Sequence, residues 1–178
     1  MNTEIIALLE QIKLKDEVTY RHSVRVSSLC YEFCISLGKS REYAEEMRLA
    51  GLLHDVGKIL VPDEVLNKPG RLTDSEFIIM KEHTTNSVKL LITYSELIRN
   101  VANGHHLSYV GNGYPNASIS GKNIPEECRI AAICDIYEAL TAKRQYKEPM
   151  SKEKALEIMH SDGKLDPELL AQFEKCIN

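Results

Sequence analysis

Apolar residues recur along this chain at spacings of three and four, which is the periodicity of amphipathic helices. The first such stretch places Ile5, Ile6, Leu8, Leu9 and Ile12 on one face. Strict alternation of apolar and polar residues, the sign of a half-buried strand, is weak throughout. The pattern therefore predicts an all-α fold that begins with a helix near the N-terminus.

Residues that start and stop helices predict the next two elements. A helix from about Val18 to Leu37 should end at Gly38. Ser40 can cap a third helix, which runs directly into the pair His54-Asp55. The third predicted helix therefore ends at residues with ligand chemistry.

Further along, the same signals place other titratable residues on helices. A capping box at 73–76 opens a helix that should carry His83. A helix near 95–104 delivers His105 and His106 at its end.

The C-terminal part contains a long helix and two short ones. The long helix runs from about Glu126 to Lys143 and carries Asp135, while Ser151 and the pair Asp166-Pro167 open the short ones.

Two irregular stretches, 60–70 and 107–125, each follow candidate ligands directly, as loops that shape an active site often do. No linker divides the chain, so a single domain over 1–178 is expected.

Composition narrows the class of protein. The 178 residues are 43% hydrophobic and 27% charged, with a net charge of −4. These values are ordinary for a globular domain, and they argue against binding of a nucleic acid polymer. A small anionic substrate fits, because bound metal ions can outweigh a weakly negative field.

Localisation is predicted from what the sequence lacks. No signal peptide is recognisable, and no apolar run reaches the roughly 20 residues that span a bilayer, so a cytoplasmic location without membrane contact is expected. The five cysteines form no Cys-x-x-Cys pair, and we expect reduced, buried thiols.

The most informative chemistry is a series of histidines beside two aspartates. A lone histidine such as His160 is more often structural than ligating, but a cluster changes that balance. Neutral imidazole and carboxylate are ligands for Fe, Mn, Zn, Ni or Co. The seven candidate metal ligands are His22, His54, Asp55, His83, His105, His106 and Asp135.

Seven donors without a cysteine exceed the four of a closed structural zinc site. They are enough for two adjacent divalent metals bridged by a carboxylate, as in two-metal hydrolases, with Fe or Mn favoured and Zn, Ni or Co left open. Consecutive helical residues diverge by about 100°, so His54 and Asp55 are expected on different sides of the site rather than on one ion. Lys58 is a suitable partner for a phosphate.

In these residues the chain resembles the HD-GYP branch of the HD-domain phosphohydrolases, over about residues 20–147. The resemblance depends on an ordered series of motifs, namely Arg21-His22, His54-Asp55-Val56-Gly57-Lys58, residues 62–73, Lys81-Glu82-His83, His105-His106, Gly111-Asn112-Gly113-Tyr114-Pro115 and residues 135–141. It implies a helical HD-domain bundle with an irregular loop at 111–115, and hydrolysis of a cyclic dinucleotide, typically cyclic di-GMP.

The resemblance also implies how the metals divide. His22, His54, Asp55 and Asp135 would hold one metal. Asp55 would bridge to a second metal, held by His83, His105 and His106. A third-metal carboxylate found in some members would fall at Val18, which cannot ligate, so two metals are expected.

The proposed catalytic residues are Asp55 and Lys58, with Lys58 stabilising charge on the phosphoryl oxygens. Predicted substrate contacts are Lys58, Lys68, Arg71, Tyr114 and Arg144. For all but Lys58, an ordinary structural or solvent-exposed role is a serious alternative.

The chain departs from the family pattern at four positions: Thr84, Leu107, Val110 and Gln145. Leu107 and Val110 replace two acids beside the 111–115 loop, and we expect this to weaken the hydrogen bonding that supports the ligands or to change substrate choice. An HD phosphohydrolase acting on another nucleotide or a phosphomonoester therefore stays open, as does a non-catalytic nucleotide-binding sensor. A separate regulatory protein is a possible partner, and the oligomeric state is undetermined.

Overall fold

The computed structural model describes residues 3–143 and 148–178, which are helical and contain no β-strand, as predicted. The ten α-helices in these ranges are α1 (Thr3–Lys15), α2 (Glu17–Ser36), α3 (Arg41–Leu53), α4 (Asp63–Leu66), α5 (Asp74–Lys81), α6 (His83–Leu90), α7 (Glu96–Gly104), α8 (Glu126–Thr141), α9 (Lys152–Asp162) and α10 (Pro167–Cys176). The predicted contact Arg144 lies outside the described residues.

Helix α2 is the centre of the bundle and packs against α1, α3, α8 and α10. Its buried Phe33 meets Phe173 of α10 edge to face, with ring centroids 5.0 Å apart. Met47 of α3 and Ile133 of α8 are fully buried in the same core. Full burial of each of these large side chains contributes about 1.5–3 kcal/mol to the stability of the fold.

Ser40 and the capping box at 73–76 act as caps, as predicted, and Asp16 caps α2 in addition. Asp16 accepts hydrogen bonds from the backbone of Val18 and Thr19 at the start of α2, and Ser40 caps α3. The capping box at the start of α5 is formed by Thr73 and Glu76. Each cap satisfies backbone N–H groups that the first helical turn leaves unpaired.

The prediction that this capping box opens the helix carrying His83 is wrong. Helix α5 ends at Lys81, Glu82 forms a tight turn, and His83 begins α6. The His83 ring bonds the carbonyl of Met80 at 2.7 Å, so a side chain replaces part of the helical hydrogen bonding. His83 at the start of α6 is 1% exposed, whereas α5 buries none of its residues fully.

The stretch 60–70 was predicted to be irregular, and this is wrong for its middle. Helix α4 forms one turn there, beginning after Pro62 and burying Val65. A helix this short depends on tertiary contact, which sequence periodicity does not report.

The stretch 107–125 is irregular as predicted, apart from a 3-10 turn at Gly121–Asn123. It is attached to the C-terminal region by the Tyr109 N–H, which donates to the Lys164 carbonyl at 2.7 Å. Lys122 adds an ion pair to the buried Asp166 at 3.1 Å. The 111–115 loop is therefore held in place from outside its own sequence.

A 3-10 turn at Val56–Leu60 follows α3 and lies directly against α6. The Gly57 N–H donates to Ser87 Oγ at 2.7 Å, and Ser87 Oγ donates to the His54 carbonyl at 3.1 Å. A Cβ at Gly57 would lie 2.0 Å from the His83 carbonyl oxygen. Only glycine allows the turn to approach the start of α6 so closely.

The cysteine prediction is confirmed in that all five thiols are free. Four are buried and Cys176 is partly exposed. Across residues 3–143 and 148–178, every helix is too short or too polar to cross a membrane.

We expect Gly57→Ala to lower the free energy of unfolding by about 1–3 kcal/mol, because the added methyl group must displace backbone on α6. Urea denaturation of the metal-free protein measures this. Gly51→Ala is the comparison, since its Cβ would lie 3.1 Å from the Cys30 sulfur and 3.2 Å from the Ser27 backbone, a milder crowding, and alanine favours the helix. A smaller loss for Gly57→Ala than for Gly51→Ala would contradict the argument.

Candidate metal centre

The structure brings all seven candidate ligands to one place between the helices. They come from α2, the end of α3, the start of α6, the end of α7 and the middle of α8. The ligand atoms of His22, His54 and Asp55 lie within 4.8 Å of one another, and so do those of His83, His105 and His106. A third group of the same size joins His54, His105 and Asp135, so the first two groups are adjacent.

Asp55 lies between the groups. Its Oδ2 is 3.3 Å from His54 Nε2, and its Oδ1 is 3.3 Å from His83 Nε2 and 3.9 Å from His105 Nε2. One carboxylate therefore faces histidines on three different elements, one oxygen to each side.

We expected His54 and Asp55 to point to different sides of the site, and this is wrong. The Asp55 Oδ2 atom lies 3.3 Å from His54 Nε2, and both residues belong to the same group of candidate ligands. The divergence of about 100° holds only within a helix. Here α3 ends at Leu53, and Asp55 adopts φ −101° and ψ 6°. The turn brings both side chains inward.

Three of the histidines are oriented by backbone carbonyls. The Nδ1 atoms of His54, His83 and His105 lie 2.8, 2.7 and 2.9 Å from carbonyl oxygens of residues three or four positions earlier. A carbonyl only accepts, so Nδ1 carries the proton and Nε2 keeps its lone pair. This arrangement is typical of metal-binding histidines.

Two buried polar atoms in the described part of the chain lack a hydrogen-bond partner at this point. They are His54 Nε2 and Asp55 Oδ1, on residues that are 1% and 2% exposed. An unsatisfied buried acceptor costs about 1–3 kcal/mol. A divalent cation would satisfy both, so the residues present fit a metal.

Burial lowers the pKa of His83 and His105, and it lowers that of His106 to about 4. These imidazoles are therefore neutral at pH 7, as coordination requires. Burial alone would raise the pKa of Asp55, but Lys58 and the neighbouring histidines outweigh it and hold the pKa well below its usual range. The carboxylate is therefore charged.

His22 is held differently, by carboxylates on both ring nitrogens. Its Nε2 is 2.9 Å from Asp135 Oδ1, and its Nδ1 bonds Glu138, which also accepts from Arg25. Burial lowers the pKa of His22, but the hydrogen bonds to Asp135 and Glu138 raise it to about 9.

Sequence reasoning missed Glu138 and Arg25. Each stands three positions after a predicted ligand on the same helix, Glu138 after Asp135 and Arg25 after His22, and residues at that spacing share a face. The spacing was a usable signal.

An open cleft of about 220 Å³ adjoins the centre. His22, Asp55, His106 and Asp135 line it together with Lys58, whose ammonium lies 2.6 Å from Asp55 Oδ2. Val18, the position of the third-metal carboxylate in some relatives of this pattern, also lines the cleft and is 47% exposed.

Of the predicted substrate contacts, Lys58 is the one described residue that lines this cleft. Lys68 pairs with Glu76 at 2.6 Å, and Arg71 is exposed. Tyr114 packs its ring on His106, with centroids 4.6 Å apart.

The departures from the family pattern leave the described ligand supports in place. Val110 is 63% exposed, and Leu107 is partly buried. The ligand rings described above are held by backbone carbonyls, by Glu138 and by other rings, so no such support depends on an acid at either position. Thr84 is buried and donates to the Lys81 carbonyl.

Comparison with known proteins shows the family of this chain. The HD domain family profile matches residues 7–169. The chain is 38% identical to a cyclic di-GMP phosphodiesterase of Pseudomonas aeruginosa, over 96% of this chain and 42% of that protein. It is 34% identical to a 3'3'-cGAMP-specific phosphodiesterase of Vibrio cholerae, over 89% of this chain and 38% of that protein.

The chain thus spans about two fifths of the length of these relatives. Among solved structures, the HD domain of the L. monocytogenes phosphodiesterase PgpH, in complex with cyclic di-AMP, superimposes with a TM-score of 0.70 at 23% identity. That match covers 96% of this chain and 93% of the other. At this identity the likeness concerns the fold.

We expect Glu138→Gln to weaken Mn²⁺ binding about 10–100-fold, because the amide no longer offers His22 a charged acceptor. Titration of the metal-free protein with Mn²⁺ measures the affinity. Glu127→Gln makes the same change on α8, where Glu127 accepts from Asn100 away from the histidines. Equal affinities in the two variants would contradict a supporting role for Glu138.

Proposed function

The chain belongs to the HD-GYP branch of the HD-domain family, and from this membership we propose that it is a metal-dependent phosphodiesterase that hydrolyses a cyclic dinucleotide, most simply cyclic di-GMP. The observation that carries the proposal is Asp55, buried between two groups of histidines at the edge of a cleft that contains a lysine. Residues 1–178 form one domain in this proposal.

We assign two divalent metals, with Fe or Mn preferred and Zn, Ni or Co compatible with the same donors. His22, His54, Asp55 and Asp135 would hold the first, and Asp55, His83, His105 and His106 the second. When bound, such metals lower the pKa of a water molecule and neutralise charge on a phosphate.

Lys58 is the proposed substrate-binding and charge-stabilising residue. Its ammonium lies at the cleft, held 2.6 Å from Asp55, where it can bind a non-bridging phosphate oxygen. A positioned cation favours the transition state because negative charge grows on these oxygens during hydrolysis.

The cleft volume of about 220 Å³ is below the ~300–1,000 Å³ of ordinary small-molecule pockets. We infer that one phosphate and its adjoining sugar enter it, while the remainder of the dinucleotide lies on the surrounding surface. Lys68, Arg71 and Arg144 are the proposed contacts for that remainder. Of these, Lys68 would first have to leave Glu76.

Two alternatives differ in substrate or in turnover. Similarity to 3'3'-cGAMP-specific phosphodiesterases favours a hybrid cyclic dinucleotide as the second candidate. A non-catalytic sensor is less favoured, because all seven candidate ligands are present and adjacent. A cytoplasmic location and control by a separate protein remain predictions.

We expect the protein loaded with Mn²⁺ to convert cyclic di-GMP to a linear or mononucleotide product. Chromatography of products from cyclic di-GMP, 3'3'-cGAMP, cyclic di-AMP and a phosphomonoester gives the substrate class. Turnover confined to the monoester would rule out the diesterase, and tight binding of cyclic di-GMP without product would favour the sensor.

The bridging role is tested with Asp55→Ala, and Asp63→Ala is its matched control. Asp55→Ala should lose Mn²⁺ and hydrolysis together, because it removes the shared ligand. Asp63→Ala removes an exposed carboxylate on α4 and should keep both. Full turnover by Asp55→Ala would refute the bridging assignment.

Lys58→Met should lower kcat/KM about 100-fold or more while Mn²⁺ content stays near that of the unmodified protein, since methionine keeps the stem and removes the charge. Steady-state kinetics with elemental analysis separates these effects. Lys89→Met, an exposed lysine on α6, is the control. Loss of metal in Lys58→Met would instead mean that Lys58 serves to orient Asp55.

A further inference from the structure

We propose that Tyr114 is a positioning residue for His106, holding that imidazole in its ligating orientation by ring packing. The inference extends the proposed metal-dependent function to the role of the 111–115 loop. It differs from the expectation that Tyr114 contacts the substrate.

His106 is the exception among the five clustered histidines. The rings of His54, His83 and His105 bond carbonyls, and the ring of His22 bonds Glu138. Within residues 3–143 and 148–178, no hydrogen bond to the His106 ring is found, and ring contacts take that place. A ligand without such support can rotate about its side-chain bonds and loses the orientation that coordination needs.

Three neighbouring rings supply the missing support, and one of them, the His83 ring at 5.2 Å between centroids, is itself a candidate ligand. The His105 ring lies 4.1 Å from His106 between centroids at an interplanar angle of 47°, and the Tyr114 ring lies 4.6 Å away at 34°. Offset, tilted ring pairs at these separations attract each other beyond the area they bury. Since His105 is itself a ligand, Tyr114 is the available non-ligand support.

Tyr114 is well placed to act as a fixed surface. Its backbone N–H donates to the His106 carbonyl at 3.2 Å, which attaches the loop directly to the residue it supports. Gly113 makes this approach possible, because a Cβ there would lie 2.3 Å from the Ser108 nitrogen and 2.6 Å from the His106 carbonyl oxygen.

Tyr114 also contacts two residues of α5. Phe77 meets its ring nearly perpendicularly at 6.2 Å, and the Lys81 ammonium lies 5.9 Å from the ring centroid. The cleft is lined by His106 but not by Tyr114. The described ring contacts of Tyr114 are therefore with His106, His83 and α5, and not with the lining of the cleft.

The test measures Mn²⁺ affinity of the metal-free protein without nucleotide, so it is independent of whether any nucleotide is hydrolysed. Tyr114→Leu should weaken binding of Mn²⁺ at the site that contains His106 about tenfold. Tyr114→Phe, which keeps the ring, should bind Mn²⁺ with the affinity of the unmodified protein. Paramagnetic resonance separates coupled Mn²⁺ pairs from isolated Mn²⁺, and we expect the coupled signal to fall in Tyr114→Leu.

A double-mutant cycle identifies the route of the effect. If Tyr114 acts through His106, Tyr114→Leu should cost no further affinity in a His106→Ala background. An equal loss in both backgrounds would overturn the proposal, as would unchanged Mn²⁺ affinity combined with a raised KM, which is the result expected of a substrate contact.

Asn116→Ala is the control within the same loop, since it breaks the turn in which Asn116 accepts from Ser118 without touching a ligand. It should leave Mn²⁺ affinity unchanged, and a loss equal to that of Tyr114→Leu would overturn the proposal.

Should Tyr114→Leu not fold, Phe77→Leu replaces it, with an expected loss of Mn²⁺ affinity of about threefold that again vanishes with His106→Ala. An unchanged affinity in Phe77→Leu would count against positioning.

Discussion

The buried carboxylate of Asp55 is the constraint around which the centre of this protein is arranged. Its two oxygens face histidines on separate elements, at 3.3 Å on either side, and Asp55 itself is 2% exposed. A buried charge is costly without compensation. Lys58 provides part of that compensation, and a pair of divalent metals would provide the rest. The packing of α2, α3, α6, α7 and α8 must therefore satisfy this charge as well as bury apolar surface.

The supports of the ligands fall into three kinds, each drawn from a different part of the fold. Backbone carbonyls near helix ends fix three rings, a carboxylate on α8 fixes His22, and ring packing from a loop supports His106. Helix ends serve this purpose well because a carbonyl in the last turn can still accept from a ring, and the Val101 carbonyl accepts from both the backbone and the ring of His105. The broken helix at Glu82 and the end of α3 at Leu53 thus contribute directly to the site.

Two glycines set how closely the surrounding loops approach. Gly57 lets the turn after α3 touch the start of α6, and Gly113 lets the 111–115 loop close on His106. In both places any side chain would collide with backbone rather than with a flexible group. The same loop is anchored to the C-terminal region through Tyr109 and Lys122, so residues far from the histidines in sequence help to hold the centre.

The sequence by itself determined the helical class, most helix starts and the seven candidate ligands, because periodicity, caps and ligand chemistry are local properties. It did not determine the break at Glu82, the one-turn helix α4 or the convergence of His54 with Asp55 Oδ2, since each depends on contacts distant in sequence. Glu138 and Arg25 carried a readable spacing, but their role depends on α2 lying against α8. The tertiary structure decided which residues Tyr114 contacts, because only packing brings Phe77 and His106 against that ring.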